Sequence, residues 1–201
     1  MIDGLLAMIT PDTTAKAPRF PQLIMDQLDD RQRLLAEQIL RVSSSDLGGP
    51  YNALLRSPVL GQRMFDLLHY VRWETSVPSR LNEFAILIIA RHWRSQVEWF
   101  SHSRLAAKAG LSPVIVAELK TNKRPLNMPP EESVVYDFVT ELTTGHAVSD
   151  ETFTRLRQFL SEQQVVDLTV ISGTYVTVAM ILAVAEAVPP GGELPFKSGE
   201  P

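Results

Sequence analysis

The chain has 201 residues, 45% of them apolar and 21% charged, which suits one domain with a substantial buried core. Its net charge is −4 and it has no block of lysine or arginine, so it offers no electrostatic footprint for nucleic acid. It contains no cysteine, which excludes disulfides, thiolate metal sites and thiol nucleophiles.

Residues 1–20 read as an arm punctuated by Pro11 and Pro18. It has no positive flank of the signal-peptide kind, and the expected location is cytoplasmic. A polar helix is expected from about Pro21 to Val42, followed by the loop "SSSDLGGP". In "SPVLGQRMFDLLHYVRWET" Ser57 and Pro58 can open a helix, and Leu60, Met64, Leu67, Leu68 and Val71 recur at helical spacing. "LNEFAILIIARHW" is apolar almost all round, which predicts a buried helix. "VEWFSHSRLAAKAG" is a further helical run stopped by Gly110, and "LSPVIVAELK" restarts at Ser112 and Pro113. "EESVVYDFVTELTTG" and "SDETFTRLRQFL" follow, both opening on acids. Ser161 and Gln164 form a capping-box pattern before the last helix. That helix contains Leu168–Ala185, 18 residues without a charge, at the lower edge of membrane-spanning length. It lacks cationic anchors, so a fully buried central helix is expected, at a subunit interface in an oligomer, and not a membrane span.

No strand alternation is visible, and the expectation is an all-α fold of about eight helices, several in antiparallel pairs. Residues 21–190 form the single helical domain and 191–201 a tail.

The stretch "QVEWFSH" places Glu98 four residues before His102, about one helical turn. Such a pair has three readings: a surface ion pair, half of a metal site, or an acid/base pair that holds and passes a proton. No third ligand with recognisable spacing completes a metal site, so neither metal nor cofactor is expected. Glu83 is the third candidate. On one straight helix it would lie roughly 22 Å from Glu98, so the two cooperate only if the chain folds back. "HWRSQ", His92–Gln96, is a plausible break. His69, His92 and His146 read as ordinary packed, surface or helix-end residues.

The segment "PSRLNEFAILIIARHWRSQVEWFSHSRLAAKAGLSPVIVAEL" resembles the core motif of the carboxymuconolactone decarboxylase family, which includes the alkyl hydroperoxidase D-like (AhpD-like) proteins. The lead-in "GGPYNALLRSPVLGQRMFDLLHYVRWETSVP" is similar to that of the decarboxylase-like branch, and the resemblance spans about residues 45–188. It implies a compact all-helical protein forming trimers or hexamers. It also implies that Glu83 approaches His102 from the preceding helix. Aligned on His102, the two cysteines of the peroxidase branch fall on Ser95 and Glu98, so thiol peroxidase chemistry is rejected.

The resemblance implies an acid/base lyase acting on a small carboxylated lactone or related activated acid. His102 would transfer the proton, Glu98 would tune or share it, and Glu83 would orient His102. Arg91 and Arg94 are candidates to clamp a substrate carboxylate, and Tyr175 to line the site. An isomerase or hydrolase could use the same residues. The rival from another class is a non-catalytic oligomeric scaffold, for which the pair would lie open to water.

Overall fold

A computed structural model of the protein describes residues 19–43, 46–192 and 194–197. Residues 1–18 of the expected arm and 198–201 of the expected tail lie outside them. Among the described residues every regular element is helical.

Helix α1 (Asp30–Val42) starts where a reciprocal cap can form. The Asp29 side chain accepts from the Gln32 amide, and the Gln32 side chain accepts from the Asp29 amide. Such a cap contributes about 1 kcal/mol. The helix therefore begins at Asp30 and not near Pro21, and only a single tight turn, Met25–Gln27, precedes it. Helix α2 (Pro50–Leu54) begins at the last residue of the expected loop; it opens with Pro50 in its first turn, behind Gly49 at φ +61°. Helix α3 (Pro58–His69) runs into a π turn, Tyr70–Glu74, closed by the Thr75 amide on the Tyr70 carbonyl at 2.9 Å.

Helix α4 (Ser79–His92) is the centre of the molecule. Phe84 to Arg91 are buried without interruption, as an apolar run with no polar face requires. It packs against α5 (Gln96–Lys108), α6 (Pro113–Lys120), α7 (Pro130–Thr140) and α9 (Glu162–Ala185). Gly110, at φ +87°, ends α5 as its position predicts. A second π turn, Glu141–Gly145, and α8 (Asp150–Leu156) lead to α9, whose Ser161–Gln164 capping box is present.

The expectation of full burial for α9 is corrected. Leu168, Ile171, Tyr175, Val178 and Leu182 face inward, but Val166, Val170, Met180 and Val184 form an exposed stripe with Gly173 and Thr177. The helix is long and apolar enough to cross a membrane, and half of that stretch is buried within the protein. The segment read as a tail also differs. Phe196 is buried against Trp99, with ring centroids 5.2 Å apart, and the Gln96 side chain holds both the amide and the carbonyl of Phe196.

The buried side chains form two clusters. One surrounds α4; the other joins α1, α2 and α3 to the C-terminal half of α9. The π turn after α3 is fastened between them. Asp167 on α9 accepts from the Thr75 hydroxyl at 2.9 Å, the Ser76 amide at 3.1 Å, the Ser76 hydroxyl at 3.0 Å and the Tyr70 hydroxyl. Burial pushes the Asp167 carboxyl up, but these donors outweigh it and hold the group below its ordinary value.

Candidate active site

The chain reverses between α4 and α5 through Trp93–Ser95. Arg94 takes a left-handed conformation, φ +50°, and the Ser95 amide closes on the Ala90 carbonyl at 2.8 Å. Helix α5 then runs back along α4. Glu83, near the start of α4, comes opposite His102, in the middle of α5, and His102 Nδ1 lies 2.7 Å from Glu83 Oε2. With the carboxylate accepting, Nδ1 carries a proton and Nε2 is the ring's other exchange position. The His102 ring meets Tyr175 of α9 edge-on, with centroids 4.9 Å apart and planes at 87°. His102 is only 7% exposed.

Glu98 lies one turn before His102 and is 3% exposed. Neither of its carboxyl oxygens has a hydrogen-bond partner of acceptable geometry. Burial pushes its pKa from 4.5 up to about 8; the nearby Ser95 hydroxyl favours the carboxylate but lacks hydrogen-bond geometry and offsets only part of this. The group therefore carries its proton at neutral pH. Burial likewise pushes the Tyr175 hydroxyl well above its ordinary range, against the opposing pull of Arg72.

Glu98, His102 and Tyr175 open onto a cavity of about 690 Å³ along the seam between the two clusters. That volume accommodates a small organic molecule. Tyr51 of α2, Leu68 of α3, Arg72 of the π turn, and Val178 and Leu182 of α9 supply further wall, with Arg104 and Lys108 at α5. Glu83 does not line the cavity; it holds His102 from behind.

Arg91 and Arg94 do not line it either, which corrects their expected place. Arg91 donates to the Lys120 carbonyl at 2.9 Å and packs over Phe196, and Arg94 donates to the Lys197 carbonyl at 2.8 Å. Both sit at the far end of α4, where they fasten α6 and the chain's C-terminal segment. Arg72 is the cation that sequence reasoning missed. Gly61, Phe65 and Leu68 are buried at spacings of four and three, and Arg72 follows Leu68 by four. A charge continuing a buried stripe was the signal. Of the other histidines, His69 pairs with Glu74 at 2.9 Å, while His92 and His146 are exposed. Among the described residues no three His, Asp or Glu side chains gather closely enough to hold a metal ion.

No family model matches the sequence, and no curated protein matches it. Among solved structures the chain is similar to an alkylhydroperoxidase AhpD core, an uncharacterized peroxidase-related protein from Ralstonia eutropha JMP134. The TM-score is 0.73 at 13% identity, over 87% of this chain and 93% of that one. The chain has the AhpD-core fold. At this identity the likeness speaks for the fold alone. Here the AhpD-core fold carries a carboxyl–imidazole–carboxyl set and no thiol.

Proposed function

We propose that the protein is a cofactor-independent acid/base lyase that decarboxylates a small carboxylated lactone or a related activated acid. The observation that carries this reading is the Glu98 carboxyl. It is buried, unpartnered, protonated at neutral pH, and set in the wall of a ligand-sized cavity one turn from His102. A scaffold has no use for so costly a group, and an acid catalyst requires it.

In the reaction the bond to the departing carboxylate breaks and carbon dioxide leaves. The bonding electron pair spreads through the conjugated system onto the lactone carbonyl oxygen. Glu98 donates its proton to the terminal carbon of that system, and the resulting carboxylate regains a proton from solvent. Glu83 fixes the His102 ring from Nδ1, and the doubly protonated form of the ring would donate from Nε2 to the charge on the oxygen. Glu83 keeps the orienting role that the resemblance implied, whereas Glu98 takes over the proton delivery expected of His102. The same reading takes the protein to act as a homo-oligomer, supported by the uncharged exposed stripe on α9.

The test is carbon dioxide release from carboxymuconolactone and related lactone acids. Glu98→Gln and His102→Ala should each lower kcat by at least about 100-fold. For the wild type, turnover should fall as pH rises through about 8, because the acid form of Glu98 is then lost. Near-normal turnover in both variants would sink the proposal.

A further inference from the structure

Arg72 is a cation without an anion. Arg19 pairs with Glu186, Arg80 with Glu131 and Glu132, Arg157 with Glu162, and Arg124 and Arg155 share Asp137. Among the described residues Arg72 has no ion pair and donates no hydrogen bond; its guanidinium lies 4.4 Å from the Trp73 ring centroid. Stacking of that kind steadies the guanidinium and leaves its edge of N–H donors available. The side chain is half-buried in the wall of the cavity that holds Glu98, His102 and Tyr175.

Nothing in the cavity neutralises it. Of the two acids that line the wall, Glu186 is taken by Arg19 at 2.8 Å and Glu98 is uncharged at neutral pH. Arg72 acts on the Tyr175 hydroxyl, whose ring packs with His102. Arg104 and Lys108, which are exposed, add positive charge to the lining. The backbone on both sides of Arg72 is fixed, since Asp167 holds Tyr70, Thr75 and Ser76. A guanidinium edge held this way fits the two oxygens of a carboxylate.

We propose that Arg72 anchors a carboxylate that the substrate keeps through the reaction, which makes the pocket selective for diacids over neutral or singly charged lactones. The inference rests on the lyase reading above for the word substrate. The retained carboxylate is meant, because an arginine on the departing one would stabilise charge that must leave as carbon dioxide. The departing carboxylate belongs beside neutral Glu98, where poor solvation favours its loss. An anchor remote from the bond that breaks acts equally on the ground state and the transition state.

The test measures binding and turnover separately. The binding probe is cis,cis-muconate, a diacid with no lactone to decarboxylate, compared with its dimethyl ester by titration calorimetry. Wild type should bind the diacid and not the ester. Arg72→Met should weaken diacid binding about 30-fold, the loss of a bidentate charge-assisted contact, and Arg72→Lys should recover part of it. The melting temperature of Arg72→Met should be unchanged, since Arg72 holds no other residue by a hydrogen bond. With a turned-over lactone diacid, Arg72→Met should raise KM by a similar factor and leave kcat near wild type. Equal diacid binding by wild type and Arg72→Met overturns the proposal, as does wild type that binds the ester as well as the diacid, or binds no diacid. If diacid binding depends on Arg72 but no lactone acid is decarboxylated, the anchor stands and the lyase reading falls.

Discussion

Glu98 keeps its proton through neutral pH because burial removes water from its carboxyl and no well-placed donor replaces it. The folded state therefore binds a proton that the unfolded chain releases above pH 4.5. Between that value and about 8, Glu98 lowers stability as pH rises, on the order of 1 kcal/mol per pH unit. Glu98→Gln should remove this slope. Urea melts at pH 8 should show the variant more stable than wild type, and melts at pH 4.5 should show little difference. Wild-type stability that stays flat across the window would contradict the buried acid. The spacing of Glu98 and His102 was legible in the sequence because one helical turn is a local property. The approach of Glu83 to His102 is not local, and only the resemblance supplied it. Arg91 and Arg94 were expected at the site for their nearness in sequence, but the end of α4 points them at α6 and Phe196. Arg72, further away in sequence, comes in from another helix.

Among the elements, the strongest local dependence is that of the π turn on Asp167. Replacing Asp167 with Asn removes a charge that four donor groups satisfy, and should cost about 2 kcal/mol. The pH sign is opposite to that of Glu98. Asp167 stabilises the fold above its ordinary value of 3.8 and loses that contribution as pH falls below it. Denaturant midpoints of the two proteins should therefore differ at pH 7 and converge in acid. Gly61 is the other pressure point. A methyl group there would meet Leu35 Cδ2 and the Leu54 carbonyl oxygen, both at 2.7 Å, where α3 passes α1 and α2. Gly61→Ala should cost about 1–3 kcal/mol, read as a lowered melting temperature. Helix starts such as Ser161 with Gln164, and stops such as Gly110, were legible because caps are chemistry between near neighbours. The π turns were not, because the same apolar spacing continues smoothly through them and their bonding depends on what fastens the next segment.

At the level of the whole molecule, the chain's C-terminal segment is part of the core. Phe196→Ala should cost about 3 kcal/mol through lost packing on Trp99, measured by thermal unfolding. The sequence presented this stretch as a tail because Pro189, Pro190, Gly191 and Gly192 precede it and a single aromatic has no periodicity. The all-helical class and the long last helix were legible from composition and spacing. The half-exposure of that helix was not, since an uncharged run looks alike whether it faces its own core or another copy. If copies associate through that face, Val170→Lys should lower the mass found by light scattering, and an unchanged mass would remove the stripe as the interface. The π turn at Tyr70–Glu74 also sets a length for the protein as a whole. It packs one more residue into its turn than an α-helix would, and it joins the helix of one cluster to the anchor on α9 in the other. Each residue of a regular helix turns the chain by about 100°. A single-residue deletion here would therefore swing Arg72 away from the cavity or pull Ser76 off Asp167. Substitutions are local events at this turn, but insertions and deletions would change how the two halves of the molecule are registered against each other.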